Sequence, residues 1–189
     1  MTKPTAALIS TIGHPFLLLP AAFVWLTLRH LTFDEAKPVI VVVLGCFAAM
    51  AIFLFFRKKG GKISNWDVSA RSERARNIYR PILMLVLLVA AILHFSGQPF
   101  VGDTLFFGLL MAVCYAINAW VKISQHTVMA YYVGFLALPA HFWVGLGLIA
   151  LAPFVGWSRV VLGRHEKREV VFGTFVGVLF GLLHWWIFG

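Results

Sequence analysis

Continuous apolar runs separated by short polar segments account for most of this chain. They fall at residues 13–31, 37–56, 79–96, 100–120, 126–138, 140–157 and 170–188. A helix needs about 20 apolar residues to cross about 30 Å of hydrocarbon, so the runs predict an all-α bundle of six or seven transmembrane helices. Residues 126–157 decide the count. They are too long for one straight span and short for two, and Pro139 offers a break at which a tight hairpin turns. A closed β-barrel would instead show alternating segments of about ten residues, and no such alternation is present.

Composition strengthens this picture. Of 189 residues, 61% are hydrophobic and 12% charged, proportions foreign to soluble domains and expected of an integral membrane protein. No repeat, low-complexity tract or linker divides the chain, so residues 1–189 read as a single membrane domain. The first apolar run lacks a basic n-region and is followed by further runs, which fits a retained helix and not a cleaved leader. Cys46 and Cys114 both lie inside predicted spans, where packing is the expected role, since two isolated cysteines form neither a disulfide framework nor a metal pattern.

The formal charge of +9 changes the picture through its distribution. The basic residues sit in short inter-helix segments instead of forming a soluble basic face, which argues against nucleic acid as a partner. Arg57, Lys58, Lys59, Lys62, Arg71, Arg74, Arg76 and Arg80 occupy one segment, Lys122 opens a second, and Arg159, Arg164, Lys167 and Arg168 lie in a third. Two predicted helices separate each segment from the next, so all three face one side, leaving little beyond Arg29 and Lys37 on the other. The positive-inside tendency makes that side cytoplasmic. Removing Arg71, Arg74, Arg80, Lys122 and Arg159 from the count, as residues with a potential chemical role, leaves the bias in place.

Two of these segments hold candidate chemistry. In SRVVLGRHEKRE, residues 158–169, His165 and Glu169 are four apart. At the start of a helix they would share a face, and the carboxylate would accept a hydrogen bond from the imidazole, leaving the other ring nitrogen as nucleophile or base. The same pair fits a membrane-interface histidine beside a surface glutamate. In VKISQHTV, residues 121–128, Lys122, Ser124 and His126 precede an apolar run. A hydroxyl, backbone N–H groups and an imidazole at a helix start suit an anion, although Ser124 also reads as a simple helix cap. Taken together, two histidines, one acid and the surrounding cations are the parts needed to hold a phosphate, attack it and protonate its leaving group.

This arrangement resembles the type 2 phosphatidic acid phosphatase superfamily over residues 67–169. Ser158-Arg159, five residues, His165, three residues and Glu169 match its third signature, and KISQH is similar to its Pro-Ser-Gly-His signature. The resemblance implies a membrane lipid phosphatase in which His165 is a nucleophile forming a phosphohistidine. It makes His126 the proton donor to the leaving oxygen and Glu169 the residue that orients His165, with Ser158, Arg159 and Ser124 at the phosphate. The chain departs from the family in having Glu169 in place of Asp, and Ile123 and Gln125 in place of Pro and Gly. The first signature, Lys, six residues, Arg-Pro, is not literally present. Arg80-Pro81 supplies the dipeptide, but WDVSARSER is the better divergent match, with Arg74 as phosphate ligand, Arg71 second and Lys122 supplying ammonium charge. Asp67 would either orient an arginine or help hold a divalent ion on a diphosphate.

The implied substrate is a lipid phosphate or isoprenyl diphosphate among membrane lipids, in the cell membrane of a bacterium or archaeon; the charge bias puts the active-site loops on the cytoplasmic side, whereas a periplasmic site, common among bacterial relatives, would suggest recycling of a carrier-lipid diphosphate. The family requires no metal or other cofactor, and the oligomeric state is open. Three alternatives remain at this point: a phosphotransferase on the same fold, a non-catalytic protein that binds anionic lipids, and a small transporter. Other polar residues in or near the spans are His94, Asp103, Asn118, His141 and His184. Such residues are functional suspects by default, and the more ordinary reading is interhelical hydrogen bonding or interfacial placement; His184 with Trp185 and Trp186 reads as an interfacial anchor. The small residues of GFLALPAHFWVGLGLIAL, 134–151, are expected to let helices pack closely.

Overall fold

The computed structural model describes residues 2–68 and 70–189, and among them the only regular structure is helical. The helices are α1 (Lys3–Ile12), α2 (Pro15–His30), α3 (Phe33–Lys59), α4 (Arg71–Arg74), α5 (Arg80–Phe95), α6 (Val101–Ile117), α7 (Gln125–Ala140), α8 (Phe142–Val161) and α9 (Lys167–Phe188). A π-helical turn, Ala75–Tyr79, joins α4 to α5, giving one continuous helix over Arg71–Phe95. Pro81 explains the widened turn: it has no N–H for the carbonyl of Asn77, and its ring crowds that carbonyl.

Each of the seven apolar runs is helical over most of its length. Four helices among the described residues are long and apolar enough to cross a membrane: Phe33–Lys59, Arg71–Phe95, Phe142–Val161 and Lys167–Phe188. A fifth span results if α1 and α2, bent by 40° at their junction, count together. The bend has a local cause. Gly13 closes α1, and His14 caps α2 by accepting the Phe16 N–H on Nδ1 at 3.2 Å, with Pro15 preset for a first turn. Helices α6 and α7 have 17 and 16 residues, lengths of about 26 and 24 Å. A tight hairpin is present, but its break falls after Pro139, which lies inside α7: α7 ends at Ala140, and His141 caps α8 through Nδ1 and the Val144 N–H.

The chain forms two compact units, Met1–Thr32 with Ile123–Gly189, and Phe33–Lys122. In the first, α7 is the central element. It buries His126, Thr127, Val128, Met129, Ala130, Tyr132, Val133, Gly134 and Ala137, residues on every face, and so has little surface for lipid. Helix α8 returns antiparallel to it, whereas α2 and α9 run in its direction. The edge-to-face contact of the His14 and His126 rings marks one end of the α2–α7 pair, and a 3.0 Å bond from Arg29 Nη2 to the Ala140 carbonyl marks the other. Glycines set the closest contacts. A β-carbon at Gly173, Gly177 or Gly181 of α9 would lie 2.9 Å from Ser124 O, 2.6 Å from Val128 O or 2.6 Å from the Phe135 ring, so α9 seats its bare backbone on α7. Gly145 does the same for α8 against Leu138, which matches the small-residue packing expected of 134–151.

In the second unit, Arg71–Phe95 and α6 form an antiparallel hairpin through Gly97, at φ +64°, and Phe100, at φ +72°. Gly108 lets α6 approach Val86 of α5, and the Tyr79 and Tyr115 rings stack at 5.5 Å. Helix α3 starts with Asp34 and Glu35 and ends with Arg57, Lys58 and Lys59, charges that complement its dipole. Arg57 Nε also reaches Asn77 Oδ1, at 2.6 Å, in the π turn.

Gly177→Leu should destabilise the first unit by roughly 1–3 kcal/mol through overpacking. The melting temperature in detergent should fall, while Gly147→Leu, whose β-carbon would meet nothing within 4 Å, should leave it unchanged.

Candidate functional site

At one end of the first unit the chain brings together the start of α7, the end of α8, the start of α9 and the α1–α2 junction. The spacing between Arg159 and His165 has a local origin. Helix α8 continues through Ser158-Arg159 to Val161, then closes with Leu162 N–H on Ser158 O and Gly163 N–H on Val160 O. Gly163, at φ +64°, takes the left-handed conformation that ends many helices and reverses the chain at little cost for a residue without a β-carbon. The reversal returns two N–H groups to one carbonyl: Arg164 and His165 both donate to Arg159 O, at 2.9 and 3.2 Å.

His165 stands just outside α9, not within it. Its Nδ1 lies 2.7 Å from Glu169 Oε2, and both side chains are buried, at 6% and 8% exposure for the residues. The contact was expected from two residues on one helical face; it arises instead from a helix cap. Glu166 is the N-cap of α9 and Glu169 the third helical residue, and each side chain accepts the other's backbone N–H in a reciprocal capping box. Glu169 Oε2 thus receives the Glu166 N–H, at 3.2 Å, and His165 Nδ1 together. A shorter Asp would have less reach for both tasks. Because Nδ1 faces a carboxylate, the neutral ring carries its proton there and its lone pair on Nε2.

Arg159 is buried, with 2% exposed, and its Nη1 donates to Ser10 Oγ of α1 at 2.5 Å. Burying a guanidinium is costly unless its N–H groups are met, so the partner hydroxyl is a structural requirement as well as a site feature. Ser158 Oγ donates to the Val155 carbonyl at 2.6 Å. Ser124 is the N-cap of α7, its Oγ accepting from Thr127 N–H and Oγ1–H at 3.4 and 3.0 Å, and its own N–H donates to the Glu169 carbonyl at 3.1 Å. That last bond ties the segment of His126 to the segment of His165. Buried His126 follows two residues after the cap, its ring centroid 4.8 Å from that of His14.

His14 and Ser10 were not found by sequence reasoning. They precede or begin the first apolar run, where short polar side chains look like loop. The available signal was Gly13-His14-Pro15, a capping residue between a breaker and a first-turn proline. Within this unit His141 and His184 lie away from the motif end. His141 caps α8, and His184 packs on the rings of Tyr132 and Phe188 at 5.8 and 4.8 Å.

The remaining sequence-derived candidates, Asp67, Arg71, Arg74, Arg80 and Lys122, belong to the second unit. Arg74 is buried, and its Nε donates to the Val68 carbonyl at 2.9 Å. Val68 has φ +46°, rare for a β-branched residue, so the guanidinium secures a strained turn. Asp67 is half-buried beside it in sequence, as is Lys122 at the end of the unit. Arg71 and Arg80 are exposed, donating to Trp120 O at 2.9 Å and to Tyr115 Oη at 3.1 Å. Compared with known proteins, the chain matches no family model, no curated protein and no solved structure.

If the carboxylate sets the tautomer, nitrogen NMR of histidine-labelled protein should place the neutral His165 proton on Nδ1, and Glu169→Ala should shift the ring toward a mixture of tautomers. An unchanged tautomer in the variant would remove Glu169 from that role.

Proposed function

We propose that the chain is a membrane lipid phosphatase of the type 2 phosphatidic acid phosphatase kind. The observation that carries this reading is the buried His165–Glu169 contact at 2.7 Å, held beside Arg159 by the two bonds to the Arg159 carbonyl. A histidine with Nδ1 fixed by a carboxylate presents Nε2 as a nucleophile, which is the role the resemblance gives His165. His165 Nε2 attacks phosphorus as the bond to the leaving oxygen breaks, and His126 supplies that oxygen with a proton. Water then attacks the phosphohistidine, His126 takes its proton, and the N–P bond breaks to release phosphate. Arg159 and the N-terminal turn of α7 supply positive potential for the phosphoryl oxygens, the main contribution to such a transfer. The reaction needs no metal in this reading. Asp67, Arg71, Arg74, Arg80 and Lys122, in the other unit, form no part of the proposed steps.

The substrate class is a lipid phosphomonoester or isoprenyl diphosphate. A six- or seven-span bundle with these loops on the cytoplasmic face is part of the same proposal, supported by the seven apolar helices and the basic segments at 57–80, 122 and 159–168.

Purified protein in detergent should release phosphate from at least one of phosphatidate, phosphatidylglycerophosphate, farnesyl diphosphate and undecaprenyl diphosphate. His165→Ala should abolish release in a folded protein, and His126→Ala should slow it by roughly 10²–10⁴-fold, the usual worth of a general acid. Release that survives His165→Ala would end the phosphohistidine reading. Transfer to an added alcohol without hydrolysis would make the chain a phosphotransferase, and absence of both reactions in folded protein would favour a lipid-binding or transport role.

Orientation has its own test. A Gly60→Cys variant in a Cys46→Ala background should react with an impermeant maleimide only from the cytoplasmic side. Labelling from outside would place the basic segment at 57–66 on the opposite face.

A further inference from the structure

The second unit holds a cleft that the proposed phosphoryl chemistry does not use. It measures about 310 Å³ and is lined by Arg71, Ser72, Ala75, Tyr115, Asn118 and Ala119, so no carboxylate faces it. The polar groups are held in place by bonds within the unit. Arg71 Nη1 is fixed on the Trp120 carbonyl, which steadies an exposed guanidinium whose remaining N–H groups form a fork suited to phosphate oxygens. Tyr115 Oη accepts from Arg80 Nε and keeps its own O–H to donate. Asn118 is buried, at 4% exposure; its Nδ2 donates to the Arg71 carbonyl at 3.1 Å, and its Oδ1 has no hydrogen-bond partner among the described residues. A buried amide oxygen in this condition is stabilised by an incoming donor.

These groups complement an anion that also carries a hydroxyl. The exposed apolar surface of the same helical hairpin identifies the source. Leu105, Leu109 and Ala116 lie exposed along one side of α6, and Met84, Leu87 and Leu88 are exposed on α5. Trp120, 75% exposed, stands next to the lining residue Ala119, a position suited to the membrane–water interface. An amphiphile satisfies both the polar and the apolar surfaces, whereas an aqueous phosphate satisfies only the first.

We propose that this cleft binds the headgroup of an anionic phospholipid, its phosphate on Arg71 and its hydroxyl toward Asn118 and Tyr115, with the acyl chains along the exposed face of α6. The proposal is independent of the phosphatase reading, and phosphatidylglycerol, a phosphodiester with a free headgroup hydroxyl, separates the two because it offers no phosphomonoester to hydrolyse.

The test is native mass spectrometry of the full detergent-purified chain titrated with phosphatidylglycerol, phosphatidylcholine and glycerol 3-phosphate. Phosphatidylglycerol should bind at least tenfold more tightly than phosphatidylcholine. Arg71→Gln and Tyr115→Phe, which leave the buried packing in place, should each weaken it severalfold, as should Asn118→Leu. Lys59→Gln, an exposed cation outside the cleft, should leave it unchanged. Equal affinity for the two lipids, or an unaltered affinity in Arg71→Gln, overturns the proposal. Loss in Lys59→Gln as large as in Arg71→Gln makes the attraction diffuse charge, and glycerol 3-phosphate binding as tightly as the lipid assigns the cleft to a soluble phosphate; both results also overturn it.

Discussion

Close backbone approach between α7 and α9 is the constraint on which the first unit depends. In hydrocarbon, apolar side chains gain nothing by leaving lipid for one another, so helices associate through dense packing and short-range polar contact. Gly173, Gly177 and Gly181 provide the packing: a turn apart on α9, they press bare backbone onto Ser124, Val128 and Phe135. The contact at Ser124 is also where the Glu169 carbonyl accepts the Ser124 N–H, so the glycine ridge and the polar end of the unit share one interface. A shift of α9 along α7 would break both.

The polar end obeys a second demand, that backbone and charged groups shielded from water find partners inside the protein. The bonds of Arg159 Nη1 to Ser10, of Ser158 Oγ to Val155 O, and of Ser124 Oγ with Thr127 are all answers to it. They also hold fixed the groups that surround His126 and His165. The bonds that satisfy these groups are the same ones that fix the candidate site, which is why a helix cap such as Ser124 and a candidate phosphate ligand were indistinguishable in sequence.

How far the fold was legible followed from the physics of each segment. The seven apolar runs were readable because hydrocarbon length imposes a minimum run of apolar residues, and each is helical over most of its length. Helix α1 was not, because Thr2, Lys3, Thr5, Ser10 and Thr11 interrupt any apolar run; its helicity rests on packing against α8, where Ala6 is fully buried. The helical turns over 71–79 were hidden for the same reason, being rich in Arg, Glu and Asn. The end of α8 ran past Ser158-Arg159 because Ser10, 149 residues away in sequence, accepts the buried guanidinium, and no local pattern announces such a partner. The His165–Glu169 contact was anticipated at the right spacing but for a different reason, a capping box in place of a shared helical face. Asn118, read in sequence as an interhelical hydrogen-bonding or interfacial residue, lines a cleft through contacts that only the folded hairpin creates.

The cap at the start of α9 carries a consequence of its own. Glu169 closes the first turn of the helix and holds the His165 ring with the same carboxylate oxygen. Helix ends fray at free energies far below those of global unfolding. The aim of the imidazole is therefore coupled to the first turn of α9, so any opening of that turn releases the ring and the helix cap together.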